Sequence, residues 1–326
     1  MDILQKDLNT SPGISIAETP WQVIKSHEPS NLWALVDGAN WPEIQSILAE
    51  QVPPHACLYS TTDPDSQRIA PWLIRVEPDS AIQSLLEARD SNTHAVVFFH
   101  SPKGIRQLRD HFRRYTMLWT PANPDMPVYF RFYDPRVLLD MITALDEAKT
   151  AQFFNGIEAF YIPISYHTCL PKSVNILPVS LGETVLITER CLRLAQDHPV
   201  DAISQTSQSF KVSQAEYQRF ADLLRQRKPL NLAAKLYHTY QALFPVKRYE
   251  ASVQIAYRNA PYYQFQSENE LMLLADCYLW LGQDFPAQSP AAEVLLTEMH
   301  PQRLHHLMAW LQAEKQITFE NASMTQ

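Results

Sequence analysis

Glycine is scarce in this chain: six residues against 24 prolines in a length of 326. So few and so scattered, the glycines form no GxxxxGK(S/T) and no GxGxxG, which excludes the usual phosphate-cradling loops. The four cysteines, Cys57, Cys169, Cys191 and Cys277, contain no CxxC pair. That argues against a zinc site, and their apolar surroundings ("ACLYS", "ADCYLW") suit reduced, buried thiols. Neither a basic-plus-apolar leader nor an apolar run of membrane-spanning length is present, so the expected location is the cytosol. An excess of positive charge is missing too: 27 Lys and Arg face 35 Asp and Glu, a net charge of -8. Nucleic acid and anionic membrane therefore have no global electrostatic pull on the chain. There is no GxSxG and no HExxH, and His305-His306 are adjacent rather than spaced by four. No metal or cofactor is implied.

What the chain does contain is enough apolar material, 46% of residues, for one large core or two ordinary ones. "NLWALVDGA" gives a strand buried on both faces, stopped by Asp37-Gly38. Pro42 opens a helix, "ACLYS" and "PWLIRV" read as strands, and "DSAIQSLLEAR" is a helix capped by Asp79 or Ser80. "AVVFFH", "GIRQLRDHFRRY", "PVYFRFY" and "DPRVLLDMITAL" continue the alternation of strand and helix. The class expected is a mixed-sheet α/β lobe, parallel at least in part, with helices on its faces, followed by an all-α lobe. The expected organisation is an arm over 1–30, an α/β domain over 31–165, a proline-studded crossover over 166–182 and a helical lobe over 183–326. The "NPD" and "DPD" runs read as turns, and "ENASMTQ" at the end is expected to fray.

The densest chemistry lies in "VYFRFYDPRVLLDMI", from Val128 to Ile142. As a strand it places Val128, Phe130 and Phe132 on one face and Tyr129, Arg131 and Tyr133 on the other. Asp134 before Pro135 is a helix cap, with proline at the first helical position. Arg131 must be paired or wet. Pairing with Asp134 or Asp37 inside the chain and recognition of an acidic or backbone group on a partner are both open readings. Arg106, Arg109 and Arg113 form a stripe opposite the buried face of their helix, either a docking face for an acidic segment or a solvated surface.

Two motifs taken together, "WALVDGA" (Trp33 to Ala39) and "FRFYDPRVL" (Phe130 to Leu138), with "APWLIRV", "IRQLRDHFRRY" and "FFNGIEAFYIPI" in that order, resemble the cytosolic adaptor chaperones of bacterial type VI secretion. The resemblance covers roughly residues 31 to 165. It implies a non-catalytic protein that holds a secreted toxic effector and delivers it to the spike protein of the valine-glycine-repeat family (VgrG). The motif residues are Asp37, Gly38, Arg131, Asp134, Pro135 and Arg136, with Tyr133 in the structural part. Arg131 and Arg136 would offer charge-assisted bonds to a partner segment, and Trp280 and Trp310 apolar anchors. Two competing readings are a hydrolase using Asp37, Arg131 and Asp134, and a helical scaffold unrelated to secretion.

Overall fold

The computed structural model of the chain describes residues 13–26, 30–169, 175–197, 209–241, 243–297 and 302–324. Residues 1–12 of the expected arm, 170–174 of the expected crossover and the last two residues of the fraying tail lie outside these. Two compact units result, Asp2–Arg225 and Gln226–Gln326.

The first unit opens with β1 (Ile14–Thr19), α1 (Trp21–Lys25), β2 (Asn31–Asp37), α2 (Ile44–Gln51), β3 (His55–Cys57), α3 (Pro64–Arg68) and β4 (Pro71–Arg75). It continues with α4 (Ala81–Glu87), β5 (Val96–Ser101), α5 (Ile105–Arg113), β6 (Met117–Thr120) and β7 (Asn123–Tyr129). Last come α6 (Pro135–Ala144), α7 (Glu147–Phe153), β8 (Ala159–Pro163) and β9 (Cys191–Gln196). Seven strands form one sheet in the order β1-β9-β8-β5-β2-β4-β3, while β6 and β7 make a separate hairpin.

A sheet with helices followed by helices alone is what the sequence pattern predicts. The expected parallel component is absent: every neighbouring pair of named strands is antiparallel. The reason is insertion. β4 and β5 are joined through α4 and run in the same direction, but β2 lies between them and pairs with both. The connection through α4 thus skips a strand instead of joining neighbours. Two further differences concern the ends of the sheet. Ile14–Thr19, expected in the arm, pairs with Cys191–Gln196, expected in the helical lobe. "NPD" at Asn123 belongs to β7 rather than a turn, and "DPD" starts α3 with Asp63 as its cap. Of the two candidate caps of α4 it is Ser80 that accepts from the Gln83 N–H, at 3.3 Å.

Alternation along β2 decides what each face carries. Leu32, Ala34 and Val36 join Trp21, Ile44, Trp72, Ile82 and Leu86 in one core. Trp33, Leu35 and Asp37 point the other way, towards a cluster of aromatic rings. There Phe112 lies 5.2 Å from Phe99 and 5.6 Å from Phe132, and Phe153 lies 5.2 Å from Phe160, centre to centre. Each of these five phenylalanines is fully buried. Burying such a ring stabilises the fold by about 1.5–3 kcal/mol, so this cluster fixes α5 and the segment around Phe132 against the sheet.

The second unit is helical: α8 (Gln214–Thr239, shared with the first), α9 (Val246–Asn259), α10 (Glu268–Leu281), α11 (Phe285–Gln288), α12 (Pro290–Thr297) and α13 (Arg303–Met324). The sequence suggests two helices where α8 is one. Pro229 sits inside it, lacks an N–H for the Arg225 carbonyl, and the division between the units falls at that carbonyl's residue. In α10 a capping box of Ser267 and Glu270 starts the helix. Trp280 is buried, with Lys315 above its ring at 5.3 Å, so it serves the core and is no surface anchor. Trp310 is half-buried and stacks on Phe285 at 6.2 Å. No helix among the described residues is long and apolar enough to cross a membrane.

His111 on α5 carries a pH dependence into this core. Its Nε2 donates to the Phe153 carbonyl at 2.8 Å and its Nδ1 accepts from Arg114 at 3.1 Å. Burial holds its pKa down at about 3, from 6.5, with the Arg114 and Lys103 charges adding to the effect against the Phe153 bond. The unfolded chain therefore takes up a proton that the folded chain refuses, and stability declines as pH falls from 6.5 towards 3. Denaturant unfolding across this window will show that decline in the parent protein and a shallower one in His111→Gln.

Candidate functional site

Asp37 is the last residue of β2, on the aromatic face, and is fully buried. Its Oδ1 accepts from the Ala39 N–H at 3.0 Å, and its Oδ2 accepts from Arg131 Nη2 across 94 residues of sequence. The main chain is equally occupied. Asp37 N–H donates to the Ala95 carbonyl at 2.8 Å, and the Asp37 carbonyl accepts from Asn40 and Trp41 at 3.1 and 2.9 Å. Gly38 follows because nothing larger fits: a Cβ there would stand 2.5 Å from the Arg68 carbonyl oxygen and 2.6 Å from that of Ala70.

The opposite half comes from Phe130–Arg136. β7 stops at Tyr129, one step short of the aromatic and charged residues expected to continue it. Phe130 N–H still bonds the Thr116 carbonyl at 2.9 Å, and then the chain turns, with Asp134 N–H on the Arg131 carbonyl at 3.0 Å. Each side chain takes its own anchor. Arg131 reaches Asp37, and Phe132 enters the phenylalanine cluster. Tyr133 meets Tyr59 hydroxyl to hydroxyl at 2.8 Å. Asp134 caps α6 by accepting from the Arg136 N–H at 2.9 Å, and its two oxygens hold the Arg136 guanidinium at 3.0 and 2.7 Å. Pro135 occupies the first helical position.

The two buried carboxylates respond to these settings in opposite ways. Burial pushes Asp37 above the ordinary carboxylate value, and the Arg131 bond and charge and the Ala39 N–H only partly offset it. Burial acts the same way on Asp134, but the hydrogen bonds and charge of Arg136 and the nearby His94 prevail and bring it below the ordinary value. Burial, and then the bond to Tyr59, drives the Tyr133 hydroxyl upward, so it stays protonated.

The stripe on α5 is partly engaged within the chain. Arg113 donates to the carbonyls of Leu58 and Tyr59 at 3.0 and 2.9 Å, and Arg109 to that of Cys57 at 3.4 Å. Both arginines thereby serve the short edge strand β3 and the residues after it. Arg106 is exposed. The structure thus brings Asp37, Gly38, Arg131 and Tyr133 together, sets the Asp134–Arg136 pair beside them, and leaves Arg106 apart. Of the two readings of Arg131, pairing inside the chain with Asp37 is realised, while 41% of its side chain remains exposed.

Sequence reading missed Tyr59 and His94. Tyr59 lies in "ACLYS", where a strand pattern hides that its ring packs on Tyr129 at 5.5 Å. His94 caps the turn before β5 with φ 53° and lies 3.1 Å from His167. A histidine in a left-handed position beside a strand has no signature that spacing reveals. Among the described residues no group of three or more His, Cys, Asp or Glu is arranged to hold a metal ion.

Removing Arg131 strands a buried acceptor. Arg131→Ala is expected to cost about 1–3 kcal/mol of stability, and Asp37→Asn in the same chain to restore part of it; denaturant melts of the single and double variants measure both. Asp134→Ala loses the cap and is expected to cost about 2 kcal/mol at pH 7. Because the folded pKa of Asp134 is depressed, its contribution exists above the unfolded carboxylate value and fades as pH falls through the folded one. The variant's deficit will therefore shrink in acid. Gly38→Ala, forced against two carbonyl oxygens, is expected to cost about 1–3 kcal/mol by the same melts.

Residues 32–152 match the family described as Domain of unknown function (DUF4123). Comparison with curated proteins and with solved structures gave no match. The matched stretch contains both halves of the site, the Asp37-Gly38 turn and the Phe130–Arg136 segment, and lies within the first unit. That family is known as the effector-loading adaptors of type VI secretion, and its match here covers about a third of the chain.

Proposed function

We propose that the chain is a cytosolic adaptor that binds a secreted effector and loads it onto a VgrG-type spike without catalysing a reaction. The observation that carries this reading is the family match over residues 32–152, which holds the whole charged and aromatic site. That family is of the adaptor type and is not known as an enzyme family. Geometry supports the same direction. Asp37 and Asp134 are each committed to donors of the chain itself, so the hydrolase reading, which needs them for a substrate, gains no support.

In this reading the paired residues shape the binding surface, and neighbouring exposed side chains meet the partner. Arg131, Arg136, Arg106 and Arg109 supply charge, with Asp37, Gly38, Asp134 and Arg113 holding the backbone that presents them. The second unit adds apolar surface of its own, including Tyr262 at 75% and Val294 at 62% exposure. Large apolar side chains left in water are a resource for partner contact.

The test is coexpression with a candidate effector and a VgrG-type spike protein from the same source. Copurification of the effector with this chain, and loss of effector export when the chain is deleted while the spike is still secreted, is the expected result. An effector that never copurifies and is exported normally without this chain overturns the proposal.

A further inference from the structure

Where β7 ends, two tyrosines and one arginine share the surface. Tyr129 is 71% exposed and its ring packs at 5.5 Å on Tyr59, tilted by 48°. Tyr59 is half-buried and is held from below by its hydroxyl bond to Tyr133 and by Arg113 on its carbonyl. The aromatic pair is therefore mounted on a fixed base. Beside it, two residues along from Tyr129, stands Arg131. Of its guanidinium nitrogens only Nη2 has an acceptor among the described residues; Nε is buried and closed to a partner, while 41% of the side chain stays exposed.

A half-open guanidinium with unmet donors calls for an oxygen acceptor, and the group that matches its planar fork is a carboxylate. The acids already nearby do not serve: Asp37 is on Nη2, and Asp134 is held by Arg136 at 2.7 Å. Asp125, further back on β7, is exposed and repels a second acid there, which confines an incoming carboxylate to the Arg131 end of the hairpin. Addition of a strand to β7 is disfavoured, since Pro124 and Pro127 deprive that edge of donors.

Resting on the adaptor reading, we propose that Tyr59, Tyr129 and Arg131 form the docking point for an acidic segment of the partner polypeptide. One carboxylate of that segment is taken by the open edge of Arg131, and an adjacent apolar or aromatic side chain lies on the Tyr59–Tyr129 pair. Tyrosine suits this task because it brings large contact area with two torsions to freeze, and arginine because its planar fork is already positioned by Asp37. Arg106 and Arg109 on α5 add attraction for further acids in the segment.

The test uses the full chain and a fluorescent random copolymer of glutamate and tyrosine, with a copolymer of lysine and tyrosine as the opposite charge. Expected is binding of the acidic copolymer that weakens as salt is raised, and no binding of the basic one. Tyr129→Ser, which alters only an exposed ring, is expected to weaken binding roughly tenfold or more at unchanged melting temperature, and Arg131→Lys, which keeps a cation for Asp37 but loses the fork, to weaken it as much with only a modest fall in melting temperature. Absence of salt-sensitive binding, or equal binding by both variants and the parent, overturns the docking point. If that happens while the effector still copurifies with the parent, the adaptor reading stands and this inference alone has failed. Binding as expected without any effector copurification supports the docking point and counts against the adaptor reading instead.

Discussion

The ion pair between Asp37 and Arg131 is the constraint on which the rest of the first unit's site depends. It joins the end of a central strand to a turn 94 residues later. A carboxylate with no exposure is costly unless matched, so the two segments cannot drift apart without stranding it. The same demand explains Gly38. With Asp37 turned inward, the chain must leave the sheet immediately, pressed against the carbonyls of Arg68 and Ala70. One buried charge thus dictates a glycine, a tight turn and the position of an arginine on another element.

Around that pair the segment Phe130–Arg136 acts as a row of separate fasteners. Phe130 packs near Phe210 and Phe220, at 6.1 and 5.9 Å, and Phe132 fills the aromatic core. Arg131, Tyr133 and Asp134 reach β2, Tyr59 and the start of α6. This accounts for the misleading strand pattern. An extended stretch throws alternate side chains to opposite sides whether or not its backbone pairs with a neighbour. The cap at Asp134-Pro135 was legible because its chemistry is local. The partner of Arg131 was narrowed to two acids by the need to pair a charge, and only the fold could choose between them. Tyr59 was not legible at all, since its role exists only through rings distant in sequence.

The same division between local and long-range information runs through the fold. β2, β4, β5, α5 and α6 follow from hydrophobic period and caps, and are where the pattern places them. Strand order is different: nothing within Pro71–Ser101 says that β2 will insert between β4 and β5. Pairing of β1 with β9 was equally hidden, because it joins residues up to 182 apart (Ile14 with Gln196). Their short, half-polar sequences read as arm and as helical lobe until the sheet edge brings them together. In the second unit, α8 continues through Pro229. A proline removes one hydrogen bond of many, and packing along a 26-residue helix outweighs that loss.

Asp37 and Asp134 are held in different ways within one motif. Burial disfavours the charge on Asp37, while the Arg136 fork favours it on Asp134. Asp134 and its arginine are nearly self-contained, with the carboxylate satisfied from both sides and α6 begun. The Asp37 pair is less complete, for its arginine remains partly in water and carries a donor with no acceptor. Frustration of this kind is concentrated at one point of an otherwise well-matched site. A complete internal network would gain little from an incoming carboxylate; an arginine fixed by a single acceptor gains a second one with little reorganisation, since Asp37 has already set its position. In the adaptor reading, the arginine least completely matched within the frame is the one left to meet another chain.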